Sequence, residues 1–196
     1  MHAKVEIETS NIPIINLRKE FEEYLRLFKT DDFKERVVNC HIRPVDIPSM
    51  TWHGLPHYLL TLMLQRSILG LESYLSAAVA YELAKREALS PIIQEKLENP
   101  FSLSRKTVVA FYERMPELID GAFKLSVHSQ GLYDAVADFY RTTRNPIFHG
   151  SLVALSGENF DRVASAFDLL AAVYDWIDRW YSAFPSGGWQ HIRNRQ

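Results

Sequence analysis

The segment FYRTTRNPIFHG, residues 139–150, concentrates side chains that could do chemistry. Within it Arg141, Arg144, Asn145 and His149 stand between large apolar residues. Charged and polar groups are costly to remove from water, so their place in an otherwise apolar segment needs an explanation. Two interpretations are open: the residues form a functional site, or they mark the end of a helix.

The residue types suit phosphate chemistry. His149 titrates near neutral pH and could act as a general base or a general acid. Arg144 keeps its charge and offers a planar fork of donors to phosphate oxygens. Asn145 could orient the histidine or bond a substrate, and Arg141 could widen the phosphate-binding surface one turn earlier. Such a set could cleave RNA without a metal, by deprotonating a 2′-hydroxyl, stabilising an anionic phosphorane and protonating the leaving 5′ oxygen.

The spacing of arginine and histidine alone is a weak signal. Arg36 and His41 have the same spacing, without the neighbouring asparagine and glycine. Arg144 near a helix C-terminus is also favourable for the helix dipole alone, and Gly150 could serve as a cap. Only Arg144 and His149 have an apolar helix on either side, so the context of this pair, and not its spacing, distinguishes it.

Apolar residues at helical spacing predict the elements that position this segment. Leu17, Phe21 and Phe28 predict a helix over 15–28, and a wide apolar surface predicts a long buried helix from about Pro56 to Leu89. Further helices are predicted over 103–120, from 132 into the segment itself, and over 158–183. The fold class is therefore all-α, a bundle of four or five main helices.

The stretch RNPIFHG, residues 144–150, resembles the Arg-Asn-x-x-x-His motif of the HEPN superfamily, whose members are small all-α bundles. The resemblance covers roughly residues 55–183. It implies a HEPN-like bundle over 55–184, preceded by an N-terminal extension over 1–54 with one helix and an irregular connection. Residues 185–196 are expected to form a mobile tail.

The resemblance also implies a function. Many members of the superfamily are metal-independent endoribonucleases in toxin–antitoxin or defence systems, and their motifs meet across a dimer interface. For this chain it implies catalysis by Arg144 and His149 with Asn145 in support, and RNA ends with 2′,3′-cyclic phosphate and 5′-hydroxyl groups. The implied partners are RNA, a second copy of the chain and an antitoxin protein.

Two local features give structural expectations. Pro146 lacks a backbone N–H and disfavours the α region for Asn145, so the helix is expected to stop at Arg144 or to restart with Pro146 in its first turn. Glu72 lies in the most apolar helix and should be paired, with Arg144 or Arg141 as the natural partner, in a structural role rather than a catalytic one.

Trp176 and Trp180 are four residues apart and predict either buried core or a dimer surface. His53 and His57 also have helical spacing, but Gly54 and Pro56 argue against a regular helix there. No cysteine or carboxylate lies close in sequence, so we predict no metal site and no cofactor.

Composition limits the remaining possibilities. The length of 196 residues favours one domain, and 47% hydrophobic residues suffice for a sizeable core. With a net charge of −2, the surface as a whole does not attract RNA, so any RNA binding must depend on a local part of the surface. The single cysteine, Cys40, excludes an intrachain disulfide, and we find no secretory signal or membrane-length apolar run. We predict a cytoplasmic protein.

Two other classes of function stay open. A non-catalytic HEPN-like module would dimerise or dock a partner, with its arginine and histidine as structural hydrogen-bonding groups. Binding of a nucleotide or another small ligand in the polar cleft is a further alternative.

Overall fold

One long helix forms the centre of the fold, and the other helices pack around it. A computed structural model describes residues 12–39, 55–86, 90–92, 110–148 and 157–182. Its helices are α1 (Ile12–Phe28), α2 (Asp31–Asn39), α3 (Leu55–Lys85), α4 (Phe111–Glu117), α5 (Leu125–His128), α6 (Gln130–Phe139), α7 (Asn145–Phe148) and α8 (Gly157–Ser182), with a 3-10 turn at Gly121–Phe123 and a π turn at Tyr140–Arg144. These ranges contain no β-strand, so the all-α prediction is confirmed.

The two longest helices, α3 and α8, begin and end close to the predicted bounds. Pro56 stands in the first turn of α3, where its missing N–H needs no partner. The buried residues of α3 lie on most sides of the helix, which is why its sequence shows no single apolar stripe. Their main partners are the apolar face of α8 and the first helix, α1.

The N-terminal region differs from the predicted extension with one helix. It contains two helices, α1 and α2, and the first of them contributes Phe21 and Phe28 to the core. The Phe28 ring stacks on Phe167 with centroids 4.4 Å apart, and the Phe21 ring lies 4.7 Å from that of Tyr174. α1 is therefore an integral part of the bundle that α3 and α8 build.

Ion pairs join the same N-terminal helices to the outer face of α8. Three aspartates spaced seven residues apart on α8 each contact a basic side chain from residues 12–39. The pairs are Asp161 with Lys34 at 2.6 Å, Asp168 with Lys29 at 3.4 Å and Asp175 with Arg18 at 2.9 Å. All three aspartates are exposed, so each pair contributes only about 0–1 kcal/mol and the aromatic contacts dominate the docking.

Trp176 and Trp180 belong to the core. Their side chains are 2% and 6% exposed, and their rings lie 6.3 Å apart. The dimer-surface alternative for these tryptophans is therefore wrong, because neither ring reaches the protein surface. Helical spacing could not distinguish the two alternatives, since α8 is covered by other helices on two sides.

Several predictions fall on residues outside the described ranges. These are the irregular connection before α3, His53, the first half of the helix predicted over 103–120, His149, Gly150 and the C-terminal tail. Of the helices that the structure describes, none combines the length and apolar character needed to span a membrane.

Candidate functional site

The segment with the candidate residues stays helical through its proline. Asn145 has α-helical dihedral angles (φ −62°, ψ −48°), and its N–H donates to the carbonyl of Tyr140 five residues earlier. The expected stop at Arg144 is therefore wrong, while the restart with Pro146 in the first turn agrees with the bounds of α7. We attribute this to the π turn, because its wider backbone makes room for the proline ring.

Arg144 points into the bundle and forms a buried ion pair with α3. Arg144 is 8% exposed and Glu72 is 7% exposed. Arg144 Nη2 lies 3.5 Å from Glu72 Oε1, which is long for a hydrogen bond, so the attraction is mainly ionic. The guanidinium carbon also lies 4.2 Å from the ring centre of Phe148. Of the two partners that the sequence left open for Glu72, the structure thus contains Arg144.

Two buried tyrosines extend this pair into a network. The Tyr140 hydroxyl donates to Glu72 Oε1 at 2.8 Å, and the hydroxyls of Tyr112 and Tyr140 are 2.7 Å apart. Because the Tyr140 proton points to Glu72, Tyr112 must donate to Tyr140. Burial raises the pKa of both phenols well above their usual value, which keeps both hydroxyls protonated.

Sequence reasoning missed the role of both tyrosines, because an apolar pattern at helical spacing counts Tyr112 and Tyr140 as apolar residues. A signal was available: a tyrosine hydroxyl that is buried usually finds a polar partner. The buried carboxylate of Glu72 was the only candidate acceptor that the sequence had already marked in the core.

Two opposing effects act on the pKa of the Glu72 carboxyl group. Burial raises the pKa of its carboxyl group, while the hydrogen bond from Tyr140 and the charge of Arg144 lower it, and burial wins. The 3.5 Å separation from Arg144 accounts for the weak compensation. The site therefore holds a carboxylate that is only partly neutralised by its cation.

We predict a specific pH dependence for Glu72→Gln. The folded state holds the Glu72 proton more tightly than the unfolded state, so this group destabilises the fold as pH rises from about 4.3 through its raised pKa. The unfolding free energy of wild type minus that of Glu72→Gln should therefore fall across that window and then level off. Urea denaturation of both proteins from pH 4 to 8 measures it. A difference that increases with pH would mean that the Glu72 pKa is lowered instead.

The other candidate residues lie in different surroundings. Asn145 is half-buried, and its Oδ1 lies 3.5 Å from Arg144 Nη1. Arg141 is exposed and pairs with Asp138 one turn earlier, so it is not a partner of Glu72. The structure brings together Glu72, Arg144 and Asn145, and it leaves Arg141 on the surface.

The end of α7 is held against α3 by a further contact. Gln65 Nε2 donates to the carbonyl of Ile147 at 3.3 Å, and the Ile147 side chain is buried. This bond gives the Ile147 carbonyl a donor from α3. It fixes the position of the chain two residues before His149.

No described part of the chain gathers three or more histidine, cysteine, aspartate or glutamate side chains into a potential metal site. No protein-family model, curated protein or solved structure matches this chain.

Proposed function

We propose that this protein is a metal-independent endoribonuclease of the HEPN type that acts as a homodimer. The observation that carries the proposal is the fixed guanidinium of Arg144, held between Glu72 and Asn145 inside the Arg-Asn-x-x-x-His segment. A positive charge positioned before the substrate arrives is what stabilisation of an anionic transition state requires. The motif and the all-α fold support the same proposal.

The reaction assigns one task to each residue. The 2′-oxygen attacks phosphorus, and His149 takes its proton as general base. Arg144 donates to the phosphorane oxygens, and Asn145 orients His149 or bonds the RNA. The bond to the 5′-oxygen then breaks, and that oxygen receives a proton from the His149 of the second copy. The products carry a 2′,3′-cyclic phosphate and a 5′-hydroxyl group.

The biological setting is part of the proposal. The HEPN resemblance favours a toxin or defence role in the cytoplasm, with an antitoxin protein as a partner. Arg141 is assigned as a substrate contact, since an exposed cation within the segment can reach an RNA phosphate.

Cleavage of mixed RNA in EDTA tests the proposal. Wild type should cleave, and His149→Ala should lose about 10²–10⁴-fold in rate, because a positioned acid or base contributes that much. His128→Ala is the matched control, because His128 is exposed on α5 and outside the segment. All three proteins are purified identically, and the ends of the products are mapped.

Each outcome has a distinct meaning. Cyclic phosphate ends from wild type and His128→Ala alone would support the proposal. Equal cleavage by His149→Ala would show that the activity comes from another site or from a contaminant. Absence of cleavage by all three folded proteins, with a broad set of RNAs, would count against the ribonuclease.

A non-catalytic module that dimerises or docks a partner is the second candidate. One observation favours it: Leu62 and Leu69 stand two turns apart on α3 and are 58% and 44% exposed. Exposed apolar side chains that share one side of a helix are typical of protein interfaces. The burial of Arg144 in an ion pair also suits a structural role.

A further inference from the structure

Arg144 faces a conflict between stability and function. A buried arginine that is fully engaged by a carboxylate is costly to separate from it, since breaking such a pair leaves an uncompensated charge. A substrate phosphate must nevertheless compete with Glu72 for the same guanidinium. The distance between Arg144 and Glu72 therefore indicates how strongly this carboxylate competes for the arginine.

The hydroxyl of Tyr140 occupies the oxygen that Arg144 would otherwise take. Tyr140 donates to Glu72 Oε1 at 2.8 Å, and Arg144 Nη2 approaches the same Oε1 only to 3.5 Å. A carboxylate oxygen that already accepts a short hydrogen bond attracts a second donor less strongly. The length of the ion pair is thus explained by the competition from Tyr140.

Tyr112 strengthens this competition. Its hydroxyl donates to Tyr140 at 2.7 Å, which polarises the Tyr140 O–H bond and makes it a better donor to Glu72. Both rings are buried, and the Tyr112 ring meets Tyr140 edge-on at 5.8 Å, so neither hydroxyl can turn to water. The chain Tyr112–Tyr140–Glu72 is therefore fixed in one direction.

We propose that Tyr140 is a positioning residue that keeps Arg144 available for an anionic phosphate by holding Glu72 Oε1. This inference rests on the proposed ribonuclease function for the identity of the ligand, an RNA phosphate. Loss of the Tyr140 hydroxyl should let Arg144 close on Glu72 and should weaken the interaction with RNA.

The first test is RNA binding in the His149→Ala background, where cleavage does not interfere. Measured at pH 8, Tyr140→Phe should weaken RNA binding by about tenfold, the loss of one charge-assisted contact. Adding Glu72→Gln should restore most of the affinity, because a neutral side chain no longer retains Arg144. Tyr133→Phe is the matched control, because Tyr133 is a half-buried tyrosine on α6, the helix just before the π turn, and this variant should bind as the parent does.

The second test needs no RNA. Side-chain NMR of Arg144 in otherwise wild-type protein reports rotation about its Cζ–Nε bond, which slows when the guanidinium is held more tightly. Tyr140→Phe should slow this rotation, and Tyr140→Phe with Glu72→Gln should make it faster. Thermal unfolding of each variant checks that the fold is retained.

The outcomes separate this inference from the function on which it rests. Slower rotation in Tyr140→Phe without any RNA binding by the parent would sustain the role of Tyr140 and remove RNA as the ligand. Unchanged or faster rotation in Tyr140→Phe overturns the inference even if wild type cleaves RNA. Failure of Glu72→Gln to restore binding in a protein that binds RNA also overturns it.

Discussion

Glu72→Met is expected to lower the unfolding free energy by about 1–3 kcal/mol at pH 7, the cost of leaving a buried hydrogen-bonding group without its partner. Methionine fills a similar volume but accepts no strong hydrogen bond, so the loss arises from the buried hydroxyl of Tyr140, which donates to Glu72 Oε1 at 2.8 Å. The charge of Arg144 adds little to the loss, because burial of the Glu72 carboxyl group outweighs the effect of that charge on its pKa. Urea denaturation at fixed protein concentration measures the change.

Two further variants give this prediction its control. Glu72→Met with Arg144→Met removes both charges and should lie within about 2 kcal/mol of wild type, since buried pairs are often replaceable by apolar residues. Glu23→Ala breaks an exposed pair with Arg26 and should change stability by no more than about 0.5 kcal/mol. A double variant clearly less stable than Glu72→Met would show that Arg144 stabilises the fold even without Glu72, and would contradict the prediction.

Phe28→Ala is expected to lower the unfolding free energy by about 3–5 kcal/mol, as for other buried phenylalanines. The side chain is 5% exposed, and its ring packs against those of Phe33, Phe160 and Phe167 at 4.4–5.4 Å. Such a loss is a large part of the stability of a typical domain. Denaturation followed by tryptophan fluorescence includes the signal of Trp176 and Trp180 in the core around α8, far along the sequence from the substitution.

Leu27→Ala is the matched control, because Leu27 is the neighbouring residue and is exposed. It should change stability by no more than about 0.5 kcal/mol. If α1 were a separable extension, Phe28→Ala would release it in a separate transition and leave the unfolding of the remaining helices unchanged. A single, shifted transition would confirm that residues 12–39 unfold together with the rest.

The long helices could be predicted from sequence because each repeats its apolar pattern over many turns. α8 extends over 26 residues, and the predicted bounds differ from the observed ones by one residue. α2 was missed because its nine residues begin with two aspartates and give little apolar periodicity. The integration of α1 depends on which rings meet across the bundle, such as Phe28 with Phe167, and no local pattern encodes that contact.

The site could be predicted only in part. A carboxylate in the apolar core requires a partner, and this led from Glu72 to Arg144 or Arg141 as its candidates. The effect of Pro146 was predicted wrongly at Asn145 because local rules describe a regular α-helix, and a π turn has a different backbone. The tyrosine hydroxyls of the network were missed because periodicity treats Tyr112 and Tyr140 as apolar residues.

The π turn at Tyr140–Arg144 has a consequence for comparisons between related chains. A π turn takes up one residue more than an α turn, because its hydrogen bond spans five residues rather than four. A chain that lacked Thr142 or Thr143 could form an ordinary α turn and still direct its tyrosine and arginine towards the core. The interval between these two side chains can therefore differ by one residue among proteins that build the same network, and an alignment that forbids a gap at this point would fail to match them.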